Sequence, residues 1–69
     1  MNKYDWSNVD NNVKWIATDK WGWIWGYTEK PVSGKSSWHK GDCQCLIRDG
    51  GFGKPVKKWK DSLEERPND

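Results

Sequence analysis

His39, Cys43 and Cys45 stand in the pattern H-x3-C-x-C, while Trp21, Trp23 and Trp25 recur at every second position inside DKWGWIWGY (19–27). The first set offers three soft metal ligands; the second offers flat aromatic faces. A structural zinc site needs four ligands, and paired cysteines in such sites more often stand C-x2-C. Metal is therefore the weaker use, set against two small thiols packed beside the indoles. A disulfide between Cys43 and Cys45 would close a very small, strained ring that hardly constrains the unfolded chain, so reduced thiols are expected. The single histidine has no Ser/Asp partners on a plausible scaffold, and neither a phosphate-binding glycine loop nor a metalloprotease motif is present. The expectation is a protein that is not an enzyme and takes no cofactor or metal.

Binding chemistry has more support. The run KPVKKWK (54–60) sets four lysines around Trp59 with no acid among them. Aromatic rings stack on bases and cations meet phosphates, so such interleaving suits nucleotides; a lysine-rich strand that protects a sheet edge is the alternative. Twelve Lys and Arg against ten Asp and Glu give a net charge of only +2. Long duplex DNA, whose binding relies on many phosphate contacts, is disfavoured. A small ligand with one or two phosphates fits that charge better.

These side chains must be positioned by a very small domain. Sixty-nine residues suffice for one, near the size where a single core is marginal. Leu, Ile, Val and Phe together number only ten, and the mean hydropathy is −1.16. Seven Trp and two Tyr supply the missing apolar surface, since a buried aromatic ring removes roughly 150–250 Å² from water. A core of indole rings is expected, in a chain small enough to favour a homo-oligomer. The first ten residues are polar and no apolar run approaches a membrane span. A cytoplasmic protein without membrane contact is the expectation, in keeping with reduced cysteines.

The pattern along the chain is all-β. NNVKWIAT (11–18) alternates, with Val13, Trp15 and Ala17 on one face and Lys14, Ile16 and Thr18 on the other. GWIWGYT (22–28) puts Trp23, Trp25 and Tyr27 on one face, with Ile24 and Gly26 opposite. DKWG between them predicts a hairpin turn. EKPVSGKSS (29–37) has loop composition. WHKGDCQCLIR (38–48) predicts a second hairpin turning at 40–42, VKKWK (56–60) one more short strand, and DSLEERPND a helical turn stopped by Pro67. The expected architecture is a single domain over 1–69, an antiparallel meander of about four strands. It would form a curled sheet or open barrel with a short C-terminal helical turn, and residues 1–10 and 67–69 would be less ordered. Trp15 and Trp25 fall to the core by alternation. Trp21, inside the turn, and Trp38, directly after a polar loop, read as contacts for a ligand or another subunit, because exposed indoles otherwise invite aggregation.

VKWIATDKWGWIWGYTEKP and the closing WKDSLEERP resemble small bacteriophage-encoded proteins with a W-I-A-T-D-x-x-G-x-x-x-x-Y-x-x-K-P stretch and a W-x-x-S-L-x-x-R-P end. The resemblance runs from Val13 to Pro67. Trp21 departs from it, standing where a turn residue such as Asp is expected. In size and Trp content the chain is also similar to phage anti-CBASS sponge proteins, oligomers that sequester cyclic dinucleotides such as cyclic GMP-AMP without cleaving them. That resemblance implies a phage immune-evasion protein in the host cytoplasm, with a cyclic nucleotide as ligand. On chemical grounds Trp21, Trp23 and Trp38 would stack on bases, Tyr27 would offer a hydroxyl, and Arg48, Lys54 and Arg66 would meet phosphates. Two other readings stay open: an inhibitor docking on a host protein through its Trp-rich surface, and a single-stranded nucleic-acid binder.

Overall fold

A computed structural model describes residues 3–39, 44–50 and 55–67. Among them the protein is all-β, with two antiparallel sheets and one 3-10 turn. Strands β1 (Trp15–Thr18), β2 (Ile24–Tyr27), β3 (Val32–Ser33), β4 (Trp38–His39), β5 (Gln44–Arg48) and β6 (Glu64–Glu65) follow in chain order, with the 3-10 turn at Trp59–Asp61 before β6. The main sheet is ordered β5-β2-β1-β6, and β3 with β4 forms a separate two-stranded hairpin.

The alternation of the first two strands carries directly into the sheet. β1 and β2 pair with Trp15 opposite Tyr27, Ile16 opposite Gly26, Ala17 opposite Trp25 and Thr18 opposite Ile24. Trp15, Ala17, Trp25 and Tyr27 thus share a first face. Ala17 and Tyr27 are buried there with Trp38 and Trp59, and Trp15, Trp25 and Leu63 pack around them. Ile16, Thr18, Ile24 and Gly26 form the second face. Val13 belongs to that side, not to the Trp15 face: its Cγ1 would lie 2.8 Å from a Cβ placed at Gly26. The alternation fails there because Val13 precedes the strand and its N–H closes a turn onto Asp10 O at 3.0 Å.

Three other expectations about the elements are corrected. Among the described residues no 38–48 pairing is present. β4 pairs with β3, inside the segment that reads as a loop, across a tight turn in which Gly34 N–H donates to Ser37 O at 2.7 Å. β5 pairs instead with β2, and residues 40–42 lie outside the described part. The local β3–β4 pairing carries Trp38 inward, where its indole Nε1 donates to Thr18 O at 2.8 Å. VKKWK is not a strand either, because Trp59 opens the 3-10 turn and its ring is buried edge-on against Trp38, with centroids 5.9 Å apart. The helical turn is therefore earlier than DSLEERPND suggests, and the strand Glu64–Glu65 follows it. Ser62 makes the change: its Oγ accepts from Thr18 N–H at 2.8 Å and donates toward Trp59 O at 2.6 Å. One hydroxyl thereby closes the 3-10 turn and aligns the chain with β1, so that Glu64 and Glu65 pair with Ile16 and Trp15. The sheet is consequently no simple meander, since its last strand returns to the edge beside its first.

The N-terminal segment is tied to that returning strand. Glu64 accepts Lys3 N–H at 2.6 Å and Trp6 Nε1–H at 2.7 Å. Arg66 donates to the carbonyls of Val13 at 2.7 Å and Asp10 at 2.6 Å, with its guanidinium 4.8 Å from the Trp6 ring centroid. Residues 3–10, placed by composition among the loose ends, thus hold contacts across the chain. Burial alone would raise the Glu64 pKa, but hydrogen bonds from Lys3, Trp6 and the Tyr4 backbone, together with the Lys3 charge, hold it below the ordinary 4.5. A carboxyl with a depressed folded-state pKa stabilises fully above its unfolded value and loses that contribution as pH falls through the folded one. The melting temperature is therefore expected to drop on acidification below about 4.5, and Glu64→Gln should flatten that part of the profile. Thermal melts across the acid range check this.

Candidate functional site

The site begins at Asp19. Its carboxylate is buried, and its Oδ1 accepts the backbone N–H groups of Trp21 at 2.9 Å and Trp23 at 3.0 Å. Oδ2 accepts the Trp25 indole N–H at 3.3 Å. The main chain closes around it, with Gly22 N–H donating to Asp19 O at 3.1 Å and Asp19 N–H to Trp23 O at 2.9 Å. Gly22 has φ 87°, the left-handed conformation that a three-residue hairpin loop with a glycine bulge requires. Flanking segments grip the turn: Lys20 N–H donates to Ser36 O at 3.0 Å, and Lys20 O accepts Val56 N–H at 2.7 Å. Gly50 packs so closely on the Gly22 backbone that any side chain there would collide with the Gly22 carbonyl.

What this rigid turn presents is Trp21. It is 41% exposed, although its backbone N–H is held by Asp19 Oδ1. Lys20 sets its ammonium over the Trp21 ring, 5.4 Å from the centroid, so a cation stands over one face of a part-exposed indole. Trp23 follows at the base of the turn, half-buried. An aromatic face with a neighbouring cation can stack on a planar ring and meet an anionic group attached to it.

The other expected site residues divide. Tyr27 is 1% exposed. Burial, with the charge of Asp19 next and then Tyr4, pushes its pKa up to about 12. It is a core residue and offers no surface hydroxyl. Trp38, 7% exposed, is also core, because the β3–β4 hairpin folds it onto Trp59; contact with a ligand is corrected to packing. Arg66 is half-buried, with its guanidinium occupied by backbone carbonyls and lying over Trp6. Its charge serves the junction of the N-terminal segment with β6 and not a phosphate. Lys54 lies outside the described residues, as does Cys43. Cys45 is exposed, at odds with the reading of two buried thiols, because β5 is an edge strand of the main sheet. Among the described residues no group of three His, Cys, Asp or Glu is placed to hold a metal ion, and no helix is long and apolar enough to cross a membrane.

Arg48 is exposed and takes part in a second feature. A cavity of about 310 Å³ on the second face is lined by Lys3, Tyr4, Asp5, Ile16, Ile24, Ile47 and Arg48. The sequence suggested Arg48 but not its surroundings, which depend on the N-terminal segment crossing the sheet. Lys20 was equally missed, although its place beside Trp21 in a tight turn was a usable signal. Compared with protein-family models, curated proteins and solved structures, the chain matches none.

Proposed function

We propose that this chain is a binding protein that sequesters a cyclic nucleotide without cleaving it, in the manner of the phage anti-CBASS sponges that its size and Trp content resemble. On this reading it acts in the host cytoplasm as a homo-oligomer, against a signalling nucleotide of the host's immune response. The observation that carries the reading is Trp21, held open on a turn pinned by a buried carboxylate, with Lys20 at its face. A fixed platform loses little conformational freedom when a base lands on it, so stacking is converted to affinity with small ordering cost. Each stacked base contributes roughly 1–3 kcal/mol, and Lys20 supplies a charge for the phosphodiester attached to it. Trp23 flanks the platform. Tyr27, Trp38 and Arg66 drop out of the ligand set and hold the framework.

Calorimetry against a panel of cyclic di- and trinucleotides tests the proposal. Saturable binding of at least one, with the nucleotide recovered intact, is the expected result. Absence of heat from all of them at micromolar protein would end it. A second reading has its own support. Val56 is bonded through its N–H to Lys20 O and, like Trp21, is exposed; exposed apolar side chains on adjoining segments, a tryptophan among them, suit a protein partner. Under that reading a defined host protein co-purifies, is lost on Trp21→Ala, and no nucleotide binds.

A further inference from the structure

We infer that the cavity on the second face of the sheet is a separate binding site, for a small organic monoanion with a compact apolar body. Its floor is apolar, made by Ile16, Ile24 and Ile47, and its volume of about 310 Å³ lies at the lower end for small-molecule sites. The pairing of β5 with β2 slips between Ile24 and Trp25, so that Leu46 faces Trp25 while Arg48 faces Ile24. Ile47 is the additional residue, and its Cδ1 approaches the second face at Gly26. Two consecutive side chains, Ile47 and Arg48, therefore line the same cavity. Regular alternation would have sent them to opposite sides. Bulges of this kind re-aim side chains beside functional sites.

The walls are fixed by contacts of their own. Tyr4 shares a hydrogen bond of 2.7 Å with Thr18 Oγ1. Lys3 turns its ammonium to the carbonyls of Asp61 at 2.5 Å and Leu63 at 3.1 Å. Asp5 Oδ1 accepts Ser7 Oγ–H at 2.6 Å and Ser7 N–H at 3.0 Å. Arg48 also lines the cavity and is exposed, and its planar guanidinium is a group suited to a carboxylate or a phosphodiester. Charge sets the ligand class. Lys3 already gives its ammonium to two carbonyls and its charge to Glu64. The Arg48 guanidinium is thus the lining cation that meets a single negative charge, whereas a dianion would stand against the Asp5 carboxylate that also lines the cavity.

Two chemical sources carry this one feature, a carboxylic acid and a phosphodiester, and two probes separate them. The ¹⁵N-labelled protein is titrated by NMR with benzoate and, separately, with diethyl phosphate. Saturating shifts centred on the Ile24, Ile47 and Arg48 amides are expected with at least one probe, and the responding probe identifies the source. Arg48→Gln, at an exposed position, should weaken that binding about tenfold or more, the loss of a charged hydrogen-bonding partner, while Trp21→Ala leaves it unchanged. That last variant keeps this site distinct from the turn. No shifts at these amides with either probe at millimolar concentration, or equal affinity in Arg48→Gln, would overturn the inference.

Discussion

Replacing Trp38 by alanine is expected to unfold the protein. The ring is 7% exposed, stands edge-on to Trp59 at 5.9 Å and gives its indole N–H to Thr18 O. Deleting a buried aromatic costs roughly 3–5 kcal/mol, and the aromatic pair adds about 0.5–1.5 kcal/mol beyond area. A domain of this size holds roughly 3–5 kcal/mol in all from a single core, so the loss matches the whole stability. Near-ultraviolet circular dichroism and a thermal melt read the outcome. Trp38→Phe, which keeps an aromatic ring but loses the Thr18 bond and some ring volume, should still melt cooperatively at a lower temperature. A cooperative melt for Trp38→Ala within a few degrees of the parent would return this residue to the surface role that its loop-flanking position suggests.

The second large effect belongs to Asp19. Asp19→Ala orphans the N–H groups of Trp21 and Trp23 and the Trp25 indole N–H together. At about 1–3 kcal/mol for each unsatisfied donor, a loss of roughly 3 kcal/mol or more is expected even if water reaches some of them. Asp19→Asn retains one acceptor oxygen and should lose less. Urea unfolding of the three proteins checks the order. Stability equal to the parent in the alanine variant would mean that the turn is held by its glycine and main-chain bonds alone. Tolerance of the change in melting, joined to loss of ligand, would instead confine Asp19 to presenting Trp21.

Much of the frame was legible because alternation is a local signal. Trp15, Ala17, Trp25 and Tyr27 share their face through nothing more than a two-residue period in paired strands. Three residues of the two quoted motifs are frame: Asp19 pins the turn, Gly22 makes its left-handed step, and Ser62 closes the 3-10 turn on β1. Pairing between distant segments was not legible. SLEER reads as helical by propensity, but Ser62 and the Glu64 contacts with Lys3 and Trp6 draw it into the sheet. The hairpin of β3 with β4 and the partner of β5 were hidden for the same reason, and with them the burial of Trp38. Of the site, Trp21 was readable as an indole in a tight turn. The cavity was not, because its walls come from the N-terminal segment, from β1 and β2, and from a slipped β5 register that no local pattern announces.

At the centre stands the division between tryptophans that hold the fold and the one that is presented. Trp21→Ala tests it most directly, with a thermal melt and a calorimetric titration of the nucleotide that the panel of cyclic di- and trinucleotides identifies for the parent protein. The melting temperature should be nearly that of the parent, because the turn is set by Asp19 and Gly22 and the ring is 41% exposed. Affinity should fall by roughly 1–3 kcal/mol, the loss of one stacked base. A variant that melts far below the parent, or one that binds the nucleotide as tightly, would contradict the assignment of Trp21 as the platform.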